Sequence, residues 1–228
     1  MPIYKKVNKD FFKKWTPEMA YVLGFFAADG YITVNKRGGQ FWCIQIIDKK
    51  LLESIKKVIE SDHKISVRLP RKFGENILYR LQIGSIEMCD DLRGLGFSER
   101  KTKNLTITNI PGKYFSDFVR GYFDGDGNIW QGEIHKERKT RHTVLKLYFT
   151  SGSYQFIKSL DIKLHLLLDL EEGCIYRSKK KQFCRLQFST KNALKLYDFM
   201  YNRDVKDLKG LYLERKKKIF EKFKSLRL

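Results

Sequence analysis

The sequence lacks the features that mark secreted, membrane and metal-cluster proteins. Its four cysteines, Cys43, Cys89, Cys174 and Cys184, lie far apart without a C-x-x-C pair, so neither a zinc site nor a disulfide framework is predicted. No apolar run approaches the roughly 18 residues of a membrane span, and Met1-Pro2 leads into no apolar signal segment. We therefore expect a soluble, intracellular protein, in a bacterial cytoplasm or an organelle matrix.

Acidic residues are scarce relative to basic ones. The chain has 46 Lys+Arg against 26 Asp+Glu, a formal net charge of +20. Such an excess repels itself in a compact state and is usually tolerated because a polyanion neutralises it. Nucleic acid is the leading candidate partner, because its phosphates supply dense negative charge. A ribosome-associated or membrane-surface protein would show the same total. A hydrophobic content of 42% excludes global disorder.

The chain repeats itself. The segment VLGFFAADG at Val22–Gly30 returns as VRGYFDGDG at Val119–Gly127. Further on, RLQI at 80–83 returns as RLQF at 185–188, and ERK at 99–101 returns at 214–216. Three matches in the same order, with a slowly growing offset, predict a duplication with loop insertions. We assign residues 1–108 to an N-terminal half and residues 109–228 to a C-terminal half.

Each half shows the periodicity of an αββαββα unit, which places the chain in the α+β class. The first helix is predicted to start with Thr16 as N-cap and Pro17 behind it, and to end at Asp29-Gly30, where glycine can adopt a left-handed conformation. In the first half, further helices are predicted near 49–60 and 86–95, and strands near 31–34, 41–47, 65–69 and 77–83. In the second half, helices are predicted near 114–125, 154–168, 191–201 and 211–223, and strands near 129–134, 143–150, 174–178 and 183–189.

The repeated helices carry small residues at matching places. Gly24 with Ala28, and Gly121 with Gly125, stand at i and i+4 on one face. Since a mid-helix glycine costs about 0.5–1 kcal/mol, we predict that the two helices pack closely across a pseudo-twofold axis. Ordinary tolerance of glycine is the alternative.

This packing would bring together the aspartates that end the two helices, Asp29 and Asp126. A carboxylate at a helix C-terminus is unfavourable, and two neighbouring carboxylates repel each other. A divalent cation removes both penalties, and Mg²⁺ binds to few carboxylates plus water and phosphate oxygens. Two helix-stop residues before glycine are the alternative interpretation.

The two repeated segments resemble the two copies of the LAGLIDADG motif of homing endonucleases, and the resemblance covers nearly the whole chain. It implies two pseudo-symmetric halves whose antiparallel sheets form a DNA-binding saddle, with the motif helices at the interface. It also implies that Asp29 and Asp126 bind Mg²⁺, or another divalent cation such as Mn²⁺, and that a monomer cuts both strands of a long double-stranded DNA site. The first copy departs from the motif at Ala27, Phe25 and Phe26, but both copies keep the metal-binding position.

Two lysines join the candidate catalytic residues. Lys101 and Lys216 occupy matching places in the repeat, and the resemblance makes both candidates for stabilising the transition state or tuning the attacking water. An ordinary phosphate-contacting or solvated lysine is the alternative at both places.

Strand alternation predicts which residues face DNA. Leu81, Ile83, Leu186 and Phe188 should point at the helices, so that the arginines and glutamines between them point to the open face. These side chains suit guanine and adenine edges in the major groove; a solvated sheet face is the alternative. The predicted DNA-binding residues are Gln45, Arg68, Lys72, Arg80, Gln82, Lys146, Tyr148, Arg177, Arg185 and Gln187.

Two other functions fit the same fold. One is an RNA-binding maturase that assists intron splicing, and the other is a transcription regulator, in which the motif acids would typically be lost. Both acids are present here, which favours the nuclease. The ends of the sequence show no protein-splicing element, so a free-standing or intron-encoded protein is expected rather than an intein.

Overall fold

The computed structural model describes residues 5–99, 105–106, 109–135, 137, 140, 142–171, 173–178, 182–201, 204 and 206–226. The first half comprises α1 (Pro17–Asp29), β1 (Gly30–Val34), β2 (Gln40–Ile46), α2 (Lys49–Val58), β3 (Ser66–Arg68), β4 (Leu78–Gly84) and α3 (Ile86–Gly94). The second comprises α4 (Gly112–Asp126), β5 (Gly127–Ile134), β6 (His142–Ser151), α5 (Tyr154–Leu168), β7 (Cys174–Arg177), β8 (Cys184–Phe188) and α6 (Thr190–Met200), followed by α7 (Glu214–Ser225). The α+β class and both αββαββα orders are confirmed.

Side-chain caps determine where several helices begin. Oxygens of Thr16, Asp48, Ser85 and Ser153 each accept a hydrogen bond from the backbone N–H three residues later, which satisfies a donor that the helix leaves unpaired. The predicted cap at Thr16 is thus confirmed. Among the helices that the structure describes, none has the length and apolar character needed to cross a membrane.

The predicted conformation of Gly30 is wrong. Its φ of −86° and ψ of 162° are extended rather than left-handed, because β1 starts there without an intervening loop. Glycine serves a different purpose at this position: a Cβ would lie 2.6 Å from Cε2 of Phe26. The chain therefore passes directly from the motif helix into the sheet, and Asp29 stands at the junction.

The two sheets have the same topology. Their strand orders are β1-β2-β4-β3 and β5-β6-β8-β7, antiparallel throughout. Gly30 pairs with Ile44 as Gly127 pairs with Phe149, so the registers correspond as well. One face of each sheet is buried, and the four residues predicted to point at the helices are confirmed as core: Leu81, Ile83, Leu186 and Phe188.

The chain divides into two compact units. The first comprises Met1–Lys101, Thr108–Gly125 and Arg203–Tyr212, and so contains the first sheet with α1 and most of α4. The second comprises Thr102–Ile107, Asp126–Asn202 and Leu213–Leu228, and contains the second sheet with α5, α6 and α7. These units are defined by contacts and do not coincide with the two repeats, since most of α4 belongs to the first unit. The predicted boundary between residues 108 and 109 therefore stays a prediction.

Candidate functional site

Helices α1 and α4 pack within the first unit through backbone contacts at two glycines. A Cβ at Gly24 would lie 3.0 Å from the backbone nitrogen of Tyr122 and closer still to the carbonyl of Phe118. A Cβ at Gly121 would lie 2.9 Å from the backbone nitrogen of Phe25. Any larger residue would force the helices apart, because backbone atoms cannot rotate out of the way as a side chain can. The predicted close packing of the motif helices is confirmed.

A buried polar network accompanies this packing. The Tyr21 hydroxyl donates to Asp124 Oδ2 at 2.7 Å. The Arg120 guanidinium lies over the Tyr21 ring and donates to Asp117 Oδ1 at 2.9 Å and to the Leu211 carbonyl at 3.1 Å. The side chains that form it are almost fully buried, and buried charges of this kind are tolerated when they are paired. Sequence reasoning missed the network, although charged residues amid the apolar face of a motif helix signal it.

Each motif helix ends in an aspartate. Asp29 is the last residue of α1 and is half-buried, and Asp126 is the last residue of α4 and is exposed. In the first unit the Asp29 carboxylate leans over α4, since a Cβ at Gly125 would lie 3.2 Å from Asp29 Oδ2. Asp126 is the next residue in the chain. In both repeats, therefore, the acid marks the change from helix to strand.

The donor set suits a cation that retains much of its hydration. Among the described residues, no group of three or more His, Cys, Asp and Glu is arranged to hold a metal. Each motif helix ends in one carboxylate, and Mg²⁺ typically uses one or two carboxylates with several waters and phosphate oxygens. Asp29 and Asp126 are thus each a donor of the type that a hydrated divalent cation uses.

Lys216 lies on α7, next to the first residue of β5. It is only 4% exposed, and its Nζ donates a hydrogen bond of 2.6 Å to the carbonyl of Gly127, the residue after Asp126. An ammonium group is costly to bury without an acceptor, so this carbonyl fixes the position of the amine. The catalytic role predicted for Lys216 from the repeat and the family resemblance stays a prediction. Lys101, its predicted counterpart, lies outside the described residues.

The open face of the first sheet carries the predicted polar residues. Gln45 and Ser66 lie on either side of Arg80 in the register, and Arg80 Nε donates to Ser66 Oγ at 3.4 Å. Gln82 and Arg68 share this face by strand alternation. Arg68 lies 3.7 Å from Glu75, and Lys72 stands in the exposed turn between β3 and β4.

The open face of the second sheet requires one correction. Tyr148 pairs with Gln187, Lys146 lies two residues from Tyr148 on the same face, and the Arg185 guanidinium lies 5.2 Å from the Tyr148 ring. Arg177 does not join them, because β7 pairs Tyr176 with Arg185 and Arg177 with the buried Cys184. The Arg177 guanidinium instead stacks on the ring of Tyr154, 3.6 Å from its centroid. Tyr176 takes the place on the open face that was predicted for Arg177.

Two further residues of this face were not among the predicted DNA-binding residues. Asn128 and Trp130 are exposed and alternate with the buried Ile129 on β5, so the alternation argument applied to β8 would have found them. With Lys146, Tyr148 and Arg185 they line a shallow depression of about 300 Å³.

Comparison with known proteins supports the same fold. Residues 16–89 match the family model of a LAGLIDADG-like domain. An uncharacterized protein of Methanocaldococcus jannaschii is 21% identical over 200 residues, covering 84% of this chain and 68% of that protein. The resemblance that the two motif copies indicated is confirmed by this domain and by solved structures of the same fold.

Two solved structures illustrate the likeness. The homing endonuclease I-WcaI, bound to its DNA recognition sequence, gives a TM-score of 0.59 at 20% identity, covering 92% of this chain and 90% of that one. The LAGLIDADG meganuclease I-AabMI, bound to uncleaved DNA, gives 0.58 at 18% identity, covering 93% and 90%. This chain therefore has the fold of the LAGLIDADG homing endonucleases.

Proposed function

We propose that this chain, with its LAGLIDADG-like domain and the fold of the LAGLIDADG homing endonucleases, is a site-specific double-stranded DNA endonuclease. It acts as a monomer, hydrolyses both strands of a long recognition site, and depends on Mg²⁺ or another divalent cation such as Mn²⁺. The net charge of +20 supports a polyanionic substrate. The two solved structures named above are of a homing endonuclease and a LAGLIDADG meganuclease, each bound to DNA.

One observation carries the proposal: the Asp29 carboxylate leans over Gly125, the residue that precedes the second motif aspartate. The glycine contacts between α1 and α4 hold this arrangement, because each would be blocked by a single added carbon. A protein that used the fold only to bind nucleic acid would have no need to keep an acid at the end of each motif helix.

The residues of the chain divide the chemistry between them. Asp29 and Asp126 would hold the divalent cation, which neutralises charge on the phosphate and lowers the pKa of an attacking water. Lys216 is held by the carbonyl of Gly127, the residue that follows Asp126, and supplies a positive charge that stabilises charge developing on the phosphate. Arg80, Gln82, Arg185 and Gln187 read base edges from the two open faces.

The proposal is tested by selecting cleaved sites from a random-sequence duplex library. The protein is incubated with the library in Mg²⁺, in Ca²⁺ and in EDTA, and the new ends are sequenced. We expect recurrent double-strand breaks at one related set of sequences in Mg²⁺ and none in EDTA. Absence of recurrent breaks in every condition would overturn the nuclease assignment, and tight binding to an intron RNA in the same preparation would then favour the maturase.

A further inference from the structure

The second sheet presents an indole ring where the first sheet has a small polar residue. Trp130 is the fourth residue of the β5 segment that starts at Gly127, and Thr33 is the fourth residue from Gly30 in β1. Trp130 is 41% exposed, and its neighbours Asn128 and Lys146 on this face are polar. The two units are thus unequal at this position.

The Trp130 ring lies over Gly132, because glycine has no side chain to occupy that space. Both residues point to the open face of β5, two positions apart. A Cβ at Gly132 would lie 2.6 Å from Cη2 and 2.9 Å from Cε2 of the Trp130 indole. The glycine therefore makes room for the ring to fold over the strand, and one face of the indole becomes an apolar platform.

Cations and polar groups surround this platform. Lys146 pairs with Trp130 across the strands, and its Nζ lies 5.8 Å from the ring centroid. The Arg185 guanidinium lies over the Tyr148 ring, and Tyr148 pairs with Asn128 across the strands. Phosphate-binding and hydrogen-bonding groups therefore lie around the indole, which suits a ligand that is anionic and polar apart from a small apolar group.

A DNA duplex offers one apolar group of this kind in its major groove, the C5-methyl of thymine. All other major-groove edges present donors and acceptors, which an indole face cannot satisfy. Stacking a base on the ring would require unstacking it from the duplex at a cost of a few kcal/mol, whereas contact with the methyl requires no deformation.

We propose that Trp130 is a specificity-determining residue that recognises the C5-methyl group of thymine within the half-site read by the second unit. This inference rests on the proposed function, since it assumes that the open face meets duplex DNA. Removing one buried methyl should weaken binding about three- to fivefold, the factor expected from the free energy of transferring a CH₂ group out of water.

The test is a deoxyuridine scan of a selected target duplex, with binding measured in Ca²⁺. Each thymine is replaced singly by deoxyuridine, which removes only the methyl. For the wild type, we expect about three- to fivefold weaker binding at one thymine or two adjacent thymines. Trp130→Ala should bind the unmodified duplex more weakly by a similar factor and lose its sensitivity at that position.

Two variants make the scan specific to the ring. Gly132→Ala keeps the indole but displaces it, and should abolish the same sensitivity. Thr33→Ala changes the corresponding place in the first sheet, and should keep the wild-type profile. Unchanged melting temperatures would show that both variants fold.

The failure of this inference is distinct from that of the proposed function. Wild-type binding that is tight but indifferent to every deoxyuridine would overturn the role of Trp130 and leave the nuclease assignment intact. Additive effects of Trp130→Ala and deoxyuridine would overturn it as well. If the wild type binds no duplex at all, the proposed function fails and this inference fails with it.

Discussion

The hydroxyl of Tyr21 donates a hydrogen bond of 2.7 Å to the carboxylate of Asp124, at a point where both side chains are almost fully buried. One partner belongs to each motif helix, so the bond determines how α4 is placed along α1. A slip of one helix against the other would leave a buried carboxylate without this donor, which is expensive in a low-dielectric interior. The glycine contacts bring the helices close, and this bond selects their register.

Replacing Tyr21 with Phe tests this account of the helix pair. The change removes one hydroxyl and leaves the Asp124 carboxylate short of a donor, so the free energy of unfolding should fall by about 1–3 kcal/mol. Urea denaturation measures the loss. Tyr114→Phe is the control, because Tyr114 is half-exposed and stacks on Trp15; its effect should stay within about 0.5 kcal/mol. Equal losses from both variants would contradict a special role for the bond.

Gly24→Ala should destabilise the protein because the new methyl meets backbone atoms of α4. Overpacking of this kind typically costs about 1–3 kcal/mol and occasionally more. Gly94→Ala is a matched helical control: a Cβ there meets no other group within 4 Å, so it should be neutral or stabilising by up to about 1 kcal/mol. Thermal unfolding compares the two. A stable Gly24→Ala variant would refute the close approach of the helices.

Local rules predicted the inward and outward faces of β4 and β8 correctly. Side chains alternate along any strand, so Leu81 and Leu186 could be assigned to the core from the sequence alone. Pairing register is not local. On β7 a shift of one residue exchanges Tyr176 and Arg177 between the faces, and no pattern in four residues determines that shift.

Contacts between residues far apart in the chain could not be predicted from the sequence either. Tyr21 and Asp124 are 103 positions apart, and no local pattern at either residue indicates that the other is its partner. The repeat singled out Lys216 as a candidate by its position, but its burial and its bond to the Gly127 carbonyl could not be predicted from the sequence. Helix α7 begins at Glu214 rather than near residue 211, since helix ends are set by caps and packing more than by periodicity.

Asp29→Asn and Asp126→Asn should each reduce cleavage of a selected duplex by about 10³-fold or more, because a carboxylate that holds a metal supports several kcal/mol of transition-state stabilisation. DNA affinity in Ca²⁺ should change little. Asp198→Asn is the control, as this acid is exposed and pairs with Lys224. If either motif variant cuts at the wild-type rate, its aspartate is not a metal ligand in the reaction.

Lys216→Met should slow cleavage by about 10²–10³-fold, the loss typical of removing one charge-stabilising donor. Single-turnover rates on a selected duplex measure the effect, and binding in Ca²⁺ separates it from affinity. Lys218→Met removes a lysine of the same helix that is 67% exposed and paired with Glu214; it should leave the rate within a few-fold. A wild-type rate for Lys216→Met would limit the role of this amine to structure.

Cys174 provides a chemical probe of the second open face. It is exposed and pairs with Gln187, whereas Cys184 is buried. Burial raises the pKa of Cys43 and raises that of Cys89 to about 11, so their reactive thiolates are suppressed near neutral pH. We therefore expect one fast-reacting thiol in the native protein, and its loss in Cys174→Ser. If DNA lies on this face, a saturating selected duplex should slow the labelling of Cys174 in proportion to the bound fraction. An unchanged labelling rate at full occupancy would place the DNA away from β7 and β8, and would remove the structural basis for base reading by Arg185 and Gln187.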